Sequence, residues 1–214
     1  TYAKYGLDVK ILAGGPQANN RLLLATGRID FYMGANMIQA LTAVEHMRRM
    51  RGGAQSHLMR CNDERYYVVK FRNNPQGPRI LANEMLASHL AMSLGLPVSE
   101  PDVVIVGKWV IEHTPELFTQ VGHERERCAS GFAFASRFPC DPLRVPAFDF
   151  LPAAQLRMVD NLAAFAGMLV FDQWTCNCDS RQVVFHQIER EESYLGPAYF
   201  ATMIDQGYCF NGNK

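Results

Sequence analysis

Several absences narrow the reading before any motif is weighed. No stretch of the 214 residues approaches about eighteen uninterrupted apolar positions, so the pattern offers no membrane-spanning helix. Lysine plus arginine equals aspartate plus glutamate at 21 each, which leaves no overall charge to draw the chain to nucleic acid or an anionic membrane. Neither partner is expected, and any anion site must be local. The six cysteines, Cys61, Cys128, Cys140, Cys176, Cys178 and Cys209, follow no framework spacing, which favours reduced thiols over a disulfide scaffold. Cys176 and Cys178 lack the second pair or neighbouring histidine that a four-ligand zinc site needs. The opening residues Thr1 to Asp8 have neither the charged start nor the apolar middle of a signal peptide, and a cytoplasmic location is expected. There is no internal repeat and no low-complexity tract. What remains is ordinary for a globular chain, 48% apolar and 20% charged, with material for one large domain or two small ones.

Residues 7–12 alternate apolar and polar as a half-buried strand does, and Ala13-Gly14-Gly15-Pro16 breaks the chain after them. A helix capped by Asn19 or Asn20 and ended by Gly27, a short strand over residues 29–33, and a second helix from Met37 to about Met47 complete a βαβα segment. From His46 the character changes. A basic run is followed by the pair Gly52-Gly53 and by strands over 56–60 and 66–71, with Asn62-Asp63-Glu64 as their turn. Ile80, Leu81, Met85, Leu86, Leu90, Ala91 and Leu94 predict an amphipathic helix closed by Gly95 and Pro97. Residues 103–110 read as a strand, and 112–152 as short pieces broken by prolines. A long helix follows from about Asp160, with Leu162, Phe165, Ala166, Leu169, Val170 and Trp174 on its apolar side and Cys178-Asp179-Ser180 as its polar exit. A strand over 183–185, a charged turn over 189–193 and a strand over 200–204 then deliver Asp205.

The chemistry sits in four places. Gly52-Gly53-Ala54 lets backbone amides approach phosphate oxygens, and Gln55 and Ser56 add side-chain donors; a plain hairpin turn is the bland alternative. Lys70 lies inside an apolar strand, where a charge needs a partner, and Glu84 on the following helix can supply it. Asp179, at a helix exit, can accept a hydroxyl proton, flanked by the metal-competent amide oxygens of Asn177 and Gln182. Asp205, leaving an apolar strand before Gln206-Gly207, can bind Mg²⁺ that bridges phosphates. Taken singly, each is as well explained by a surface lysine or a capped element end; in this order they point to phosphoryl transfer from ATP.

With these residues in view, positions from about 46 to 214 resemble the HipA-like kinases, relatives of a toxin serine kinase and more distantly of phosphatidylinositol kinases. The likeness rests on Arg48-Arg49-Met50-Arg51-Gly52-Gly53-Ala54-Gln55-Ser56, Tyr66-Tyr67-Val68-Val69-Lys70-Phe71, Ala82-Asn83-Glu84, Ser136-Arg137-Phe138-Pro139, Phe171-Asp172-Gln173-Trp174 with Asn177 and Asp179, and Ile204-Asp205-Gln206-Gly207. It implies an α+β, bilobed protein-kinase-like fold with an N-lobe over about 46–112 and a partial C-lobe over about 113–214, truncated because the sequence stops at Lys214. It also implies ATP and Mg²⁺, an unknown protein substrate phosphorylated on a Ser or Thr hydroxyl, Lys70 as the phosphate-binding lysine, Asp179 as the catalytic aspartate and Asp205 as the metal aspartate. In the toxin relatives a metal-binding Asn follows the catalytic Asp by five residues; Val184 stands there in this chain, with Gln182 or Asn177 as candidates to replace it. An ATP-binding pseudokinase is therefore one alternative. The segment 1–45, an α/β piece, resembles the opening of periplasmic substrate-binding proteins of nitrate, sulfonate and thiamine-precursor transporters, on Tyr5-Gly6-Leu7-Asp8-Val9, Gly14-Gly15, residues 24–31 and Gly34-Ala35-Asn36. A substrate-binding fragment is the other alternative.

Overall fold

The computed structural model of the chain describes residues 40–189 and 197–212, and the chain divides into two compact units between Ala40 and Leu41. The elements expected over 7–33 lie outside the described residues, as does the charged turn beyond Glu189.

The second unit opens with β1 (Thr42–Arg49), β2 (His57–Cys61) and β3 (Tyr66–Lys70). The helix expected to run to Met47 is thus a strand from Thr42 onward. Its pairing with β2 shifts register twice, between Ala43 and Glu45 and between His46 and Arg48, and these irregularities erase the two-residue alternation that marks a strand in sequence. The hairpin between β2 and β3 turns at Asn62-Asp63-Glu64 as expected: Asp63 accepts from the Arg65 amide at 3.1 Å and the Tyr67 hydroxyl at 2.7 Å, with Glu64 in the left-handed region. Strands β4 (Pro101–Val106) and β7 (Gly131–Arg137) complete a closed barrel in the order β1-β2-β3-β7-β4. Thr42 and Ala43 close it by pairing parallel to Ile105 and Val106. The strand expected over 103–110 ends at Val106, because Gly107 turns the chain into the short helix that ends at His113. Because β7 belongs to the barrel, the barrel's strands extend to Arg137.

Met59, Val69, Phe71, Val104, Val106, Leu117 and Ala135 fill the barrel. His57 is buried among them, with its Nδ1 3.1 Å from His46 Nε2. Burial first, then His46 and Arg49, depress its pKa to about 4, so the ring is a neutral core imidazole at physiological pH.

Helix α1 (Pro78–Ser93) leaves the barrel after β3. Proline sits in its first turn, where the missing N–H costs nothing. It ends in a Schellman motif: the Gly95 amide donates to Met92 O and the Leu96 amide to Ala91 O, both at 3.0 Å, with Gly95 at φ 72°. Its buried face is Ile80, Asn83, Glu84, Ala87, Ser88 and Ala91, whereas Leu86 and Leu94, expected on the apolar side, are exposed. The inward face carries polar residues because it serves the site.

Helix α2 (Lys108–His113) precedes a separate hairpin of β5 (Phe118–Val121) and β6 (Glu124–Arg127). After β7 the chain forms β8 (Ala147–Phe148), a 3₁₀ turn over Ala153–Met158, helix α3 (Ala164–Trp174), β9 (Gln182–Ile188) and β10 (Ala198–Ile204), with the strands ordered β10-β9-β8. Ala87 and Ala91 of α1 pack with Met168 and Phe171 of α3, Met203 of β10 and Cys209 in one core cluster. This junction brings the lysine strand and the last strand's exit together. On α3 Met168 and Phe171 are buried and Phe165 packs inward as expected; Leu169, Val170 and Trp174, and Leu162 just before the helix, were expected to face inward and are exposed. The six cysteines are free thiols, and among the described residues no helix is long and apolar enough to cross a membrane.

Candidate active site

The site forms where β3, α1 and the exit of β10 converge. Lys70 is the last residue of β3 and is buried, its charge enclosed by two carboxylates from distant parts of the chain. Its Nζ donates to Glu84 Oε1 and, at 2.8 Å, to Asp205 Oδ1. Two carboxylates share one ammonium, so the cluster carries net charge of −1 when all three groups are ionised. Burial by itself would depress the Lys70 ammonium, but Glu84 and Asp205 outweigh it and hold its pKa above the ordinary lysine value. The carboxylates respond unequally. Burial pushes Glu84 up against the pull of Lys70, whereas Asp205 is also raised by burial but is brought below its usual range by Lys70 and its hydrogen bonds. Asp205, the more exposed of the two, is thus the carboxylate whose charged form is favoured.

Helix α1 also holds the chain beyond Asp205. Glu84 Oε2 accepts the Gln206 amide at 3.1 Å, and Asn83 Nδ2 lies within reach of the Gly207, Cys209 and Gly212 carbonyls at 2.9, 2.9 and 3.2 Å. Asp205 itself adopts φ 59°, a left-handed conformation that non-glycine residues rarely take and that is concentrated at functional positions. Gly207 fits because it lacks a side chain: a Cβ there would sit 2.5 Å from Ile80 Cγ2 and 3.3 Å from Glu84 Oε1. Gly207→Ala is accordingly expected to cost about 1–3 kcal/mol by overpacking. Urea unfolding measures it, and an unchanged midpoint would show that the contact yields freely.

Asp179 lies in the exposed loop after α3, its Oδ1 accepting the Ser180 amide at 2.7 Å. It makes no hydrogen bond or ion pair with Lys70, Glu84 or Asp205 among the described residues. The loop is tied to the β10 exit by a network the sequence reading did not assign. Arg181 grips both oxygens of Asp172 and donates to Ile204 O at 3.1 Å, and the Cys178 amide donates to Tyr208 O at 3.1 Å. Asp172 and Arg181, opposite charges nine residues apart on either side of the helix exit, were the available signal. Asn177 is not brought to Asp205: its Nδ2 donates to Asp172 Oδ1 at 2.9 Å and its Oδ1 accepts the Asp179 amide at 3.2 Å. Gln182 is brought there, donating to Asp205 Oδ2 at 3.1 Å. Val184 is buried in an apolar cluster with Leu58, Tyr66 and Phe138 and offers no ligand.

Gly52, Gly53, Ala54, Gln55 and Ser56 form the turn between β1 and β2, closed by the Met50 amide on Ser56 O at 2.8 Å. Gly52 has φ 120°, and a Cβ at Gly53 would meet Gln76 Nε2 at 2.8 Å. Ala54 and Ser56 are buried. The Gln55 amide is engaged with Gln120 of β5 rather than open to a ligand. A cavity of about 440 Å³ lies elsewhere, between β1 and α2, lined by residues including His46, Arg48, Trp109 and Glu116; Lys70 takes no part in it.

In fold the chain is kinase-like. It is similar to the crystal structure of the Helicobacter pylori proinflammatory kinase CtkA, with a TM-score of 0.50 and 17% identity over 80% of this chain and 62% of that one. It is also similar to the Golgi casein kinase, with a TM-score of 0.48 and 12% identity over 81% and 54% of the two chains. It therefore spans about three fifths of the first and about half of the second. No curated protein matches. Residues 43–185 match the model of the HipA-like kinases, and the chain belongs to that family. The matched region starts beyond almost all of the segment 1–45.

Proposed function

We propose that this chain transfers the γ-phosphoryl group of Mg-ATP to a serine or threonine hydroxyl of a protein substrate. The observation that carries this reading is the Lys70 ammonium held between Glu84 and Asp205, residues 121 apart in sequence, at the meeting of a strand, a helix and a strand exit. Mg-ATP, when bound, supplies the electrophilic phosphorus and the cation that screens its oxygens. Lys70 releases Asp205 and donates to phosphate oxygens while Glu84 keeps it aimed. Asp205 offers its carboxylate to the metal, with the Gln182 amide beside it. The donor set suits Mg²⁺, which is ordinarily held by one or two carboxylates with waters and phosphates completing its shell. The Gly52-Gly53 turn presents backbone amides to phosphate, and Asp179, exposed where an acceptor can reach it, takes the hydroxyl proton. Six free thiols suit a cytoplasmic setting.

A second reading, nucleotide binding without transfer, is favoured by a specific observation: the Val184 position is packed in the core and Asn177 is committed to Asp172, which leaves only Gln182 of the two candidates to replace the second metal ligand of the toxin relatives. The melting temperature with and without Mg-ATP tests both, since a ligand that binds only the folded chain raises it. A rise accompanied by labelled phosphate on a protein acceptor is the expected result. A rise with no transfer would select the second reading, and no rise would count against both.

A further inference from the structure

The turn that carries the glycine pair is fastened from outside the barrel. Gln55 Nε2 donates to Gln120 O at 2.6 Å, and the Gln120 amide donates back to Gln55 Oε1 at 2.8 Å, so one side chain reproduces the two-bond pairing of neighbouring strands. The same Oε1 accepts from Arg49 Nη2. The Arg49 guanidinium lies 4.6 Å from the Phe118 ring centroid and that of Arg125 lies 3.6 Å from it, which joins the turn's base to both strands of the β5–β6 hairpin. The hairpin is a sound anchor. Leu117 and Cys128 at its foot are buried in the barrel core, and Asn73 bridges the Arg127 carbonyl and the Ala129 amide at 2.8 and 2.9 Å. Gln55 sits at φ 49°, a conformation a free glutamine seldom keeps, and the double hydrogen bond holds it there.

We infer that the β5–β6 hairpin is a positioning arm for the glycine turn, with Gln55 as the clamp, and that it sets nucleotide affinity by holding the turn in its binding shape. This rests on the nucleotide-binding reading above. A turn with two adjacent glycines has much conformational freedom, and whatever freedom is lost before binding is not lost during it. Gln55 is a positioning residue, because its amide is already spent on Gln120 and Arg49. Its effect on phosphate passes through the backbone of the turn.

Gln55→Ala and Phe118→Leu, made singly and together in the full chain, test the inference with two readouts. The first is trypsin cleavage at the Arg51–Gly52 bond without nucleotide, followed by mass spectrometry. Both single variants are expected to be cut about tenfold faster, since local opening governs access. The second is the Kd of a fluorescent ATP analogue with Mg²⁺, expected to rise about fivefold in each single variant and by less than the product in the double variant, as members of one unit behave. Phosphate transfer by Phe118→Leu at saturating nucleotide should stay near the wild-type rate. Wild-type cleavage in both variants, or Kd values equal to wild type, would overturn the inference. If wild type binds no nucleotide while the variants are still cut faster, the clamp stands and the phosphotransferase reading fails with the affinity claim.

Discussion

Lys70→Met is expected to lower phosphoryl transfer at saturating Mg-ATP by on the order of 10³-fold, comparable to losing a charged donor from a preorganised anion site. Methionine nearly matches the volume of the lysine stem, so the lost quantity is the ammonium itself. Its removal leaves Glu84 and Asp205 facing one another without the cation that separates them. Breaking a buried pair in this way typically costs about 3–5 kcal/mol, because the surviving charge is left uncompensated. The variant should therefore unfold at lower urea as well as react slowly. Glu84→Gln separates the two effects: it keeps an acceptor for the Gln206 amide while weakening the hold on Lys70. It should retain more stability than Lys70→Met and still lose transfer. Steady-state transfer rates beside urea midpoints measure both, and a Lys70→Met enzyme within tenfold of wild type would remove Lys70 from the mechanism.

Asp179→Asn is expected to lower transfer by about 10²–10⁴-fold, the range that a positioned general base contributes, while leaving nucleotide affinity and folding almost unchanged. The carboxylate is exposed, and the hydrogen bond it accepts from the Ser180 amide can be kept by an asparagine oxygen. Nothing in the barrel or in the Lys70 cluster leans on it. The contrast with Lys70→Met is diagnostic, since one substitution should disturb stability and chemistry together and the other chemistry alone. Single-turnover transfer and nucleotide titration of the same preparation separate these. Equal transfer by Asp179→Asn would reassign the proton acceptor.

The Lys70 and Glu84 pairing could be read from sequence because a charge in an apolar strand demands a partner and the next helix offers one. Asp205 could be read because the apolar run before it is a strand that ends there. Helix faces were less legible. Leu86, Leu94, Leu169, Val170 and Trp174 mark apolar stripes at helical spacing, yet they are exposed, while Asn83, Glu84 and Ser88 point inward. Periodicity assumes that the buried face is the apolar one; on α1 the face turned to the site is polar, whereas on α3 the buried Met168 and Phe171 are apolar and nothing in the structure explains the exposed stripe. Strand β1 is hidden because Met37, Ala40, Leu41, Val44 and Met47 have helical spacing; pairing with β2 and with the distant β4 overrides it. The Gln55 clamp depends on Gln120, 65 residues away, and no spacing rule joins them.

The central claim is that Lys70, Glu84 and Asp205 are gathered around one magnesium nucleotide. Calorimetric titration of a non-hydrolysable ATP analogue, with and without Mg²⁺, into wild type and Asp205→Asn tests it most directly. The account predicts that Mg²⁺ strengthens wild-type binding by about tenfold or more and leaves the variant unaffected, because the carboxylate that bridges metal and protein has gone. A wild-type chain that binds no nucleotide, or a variant with the full magnesium enhancement, would contradict it.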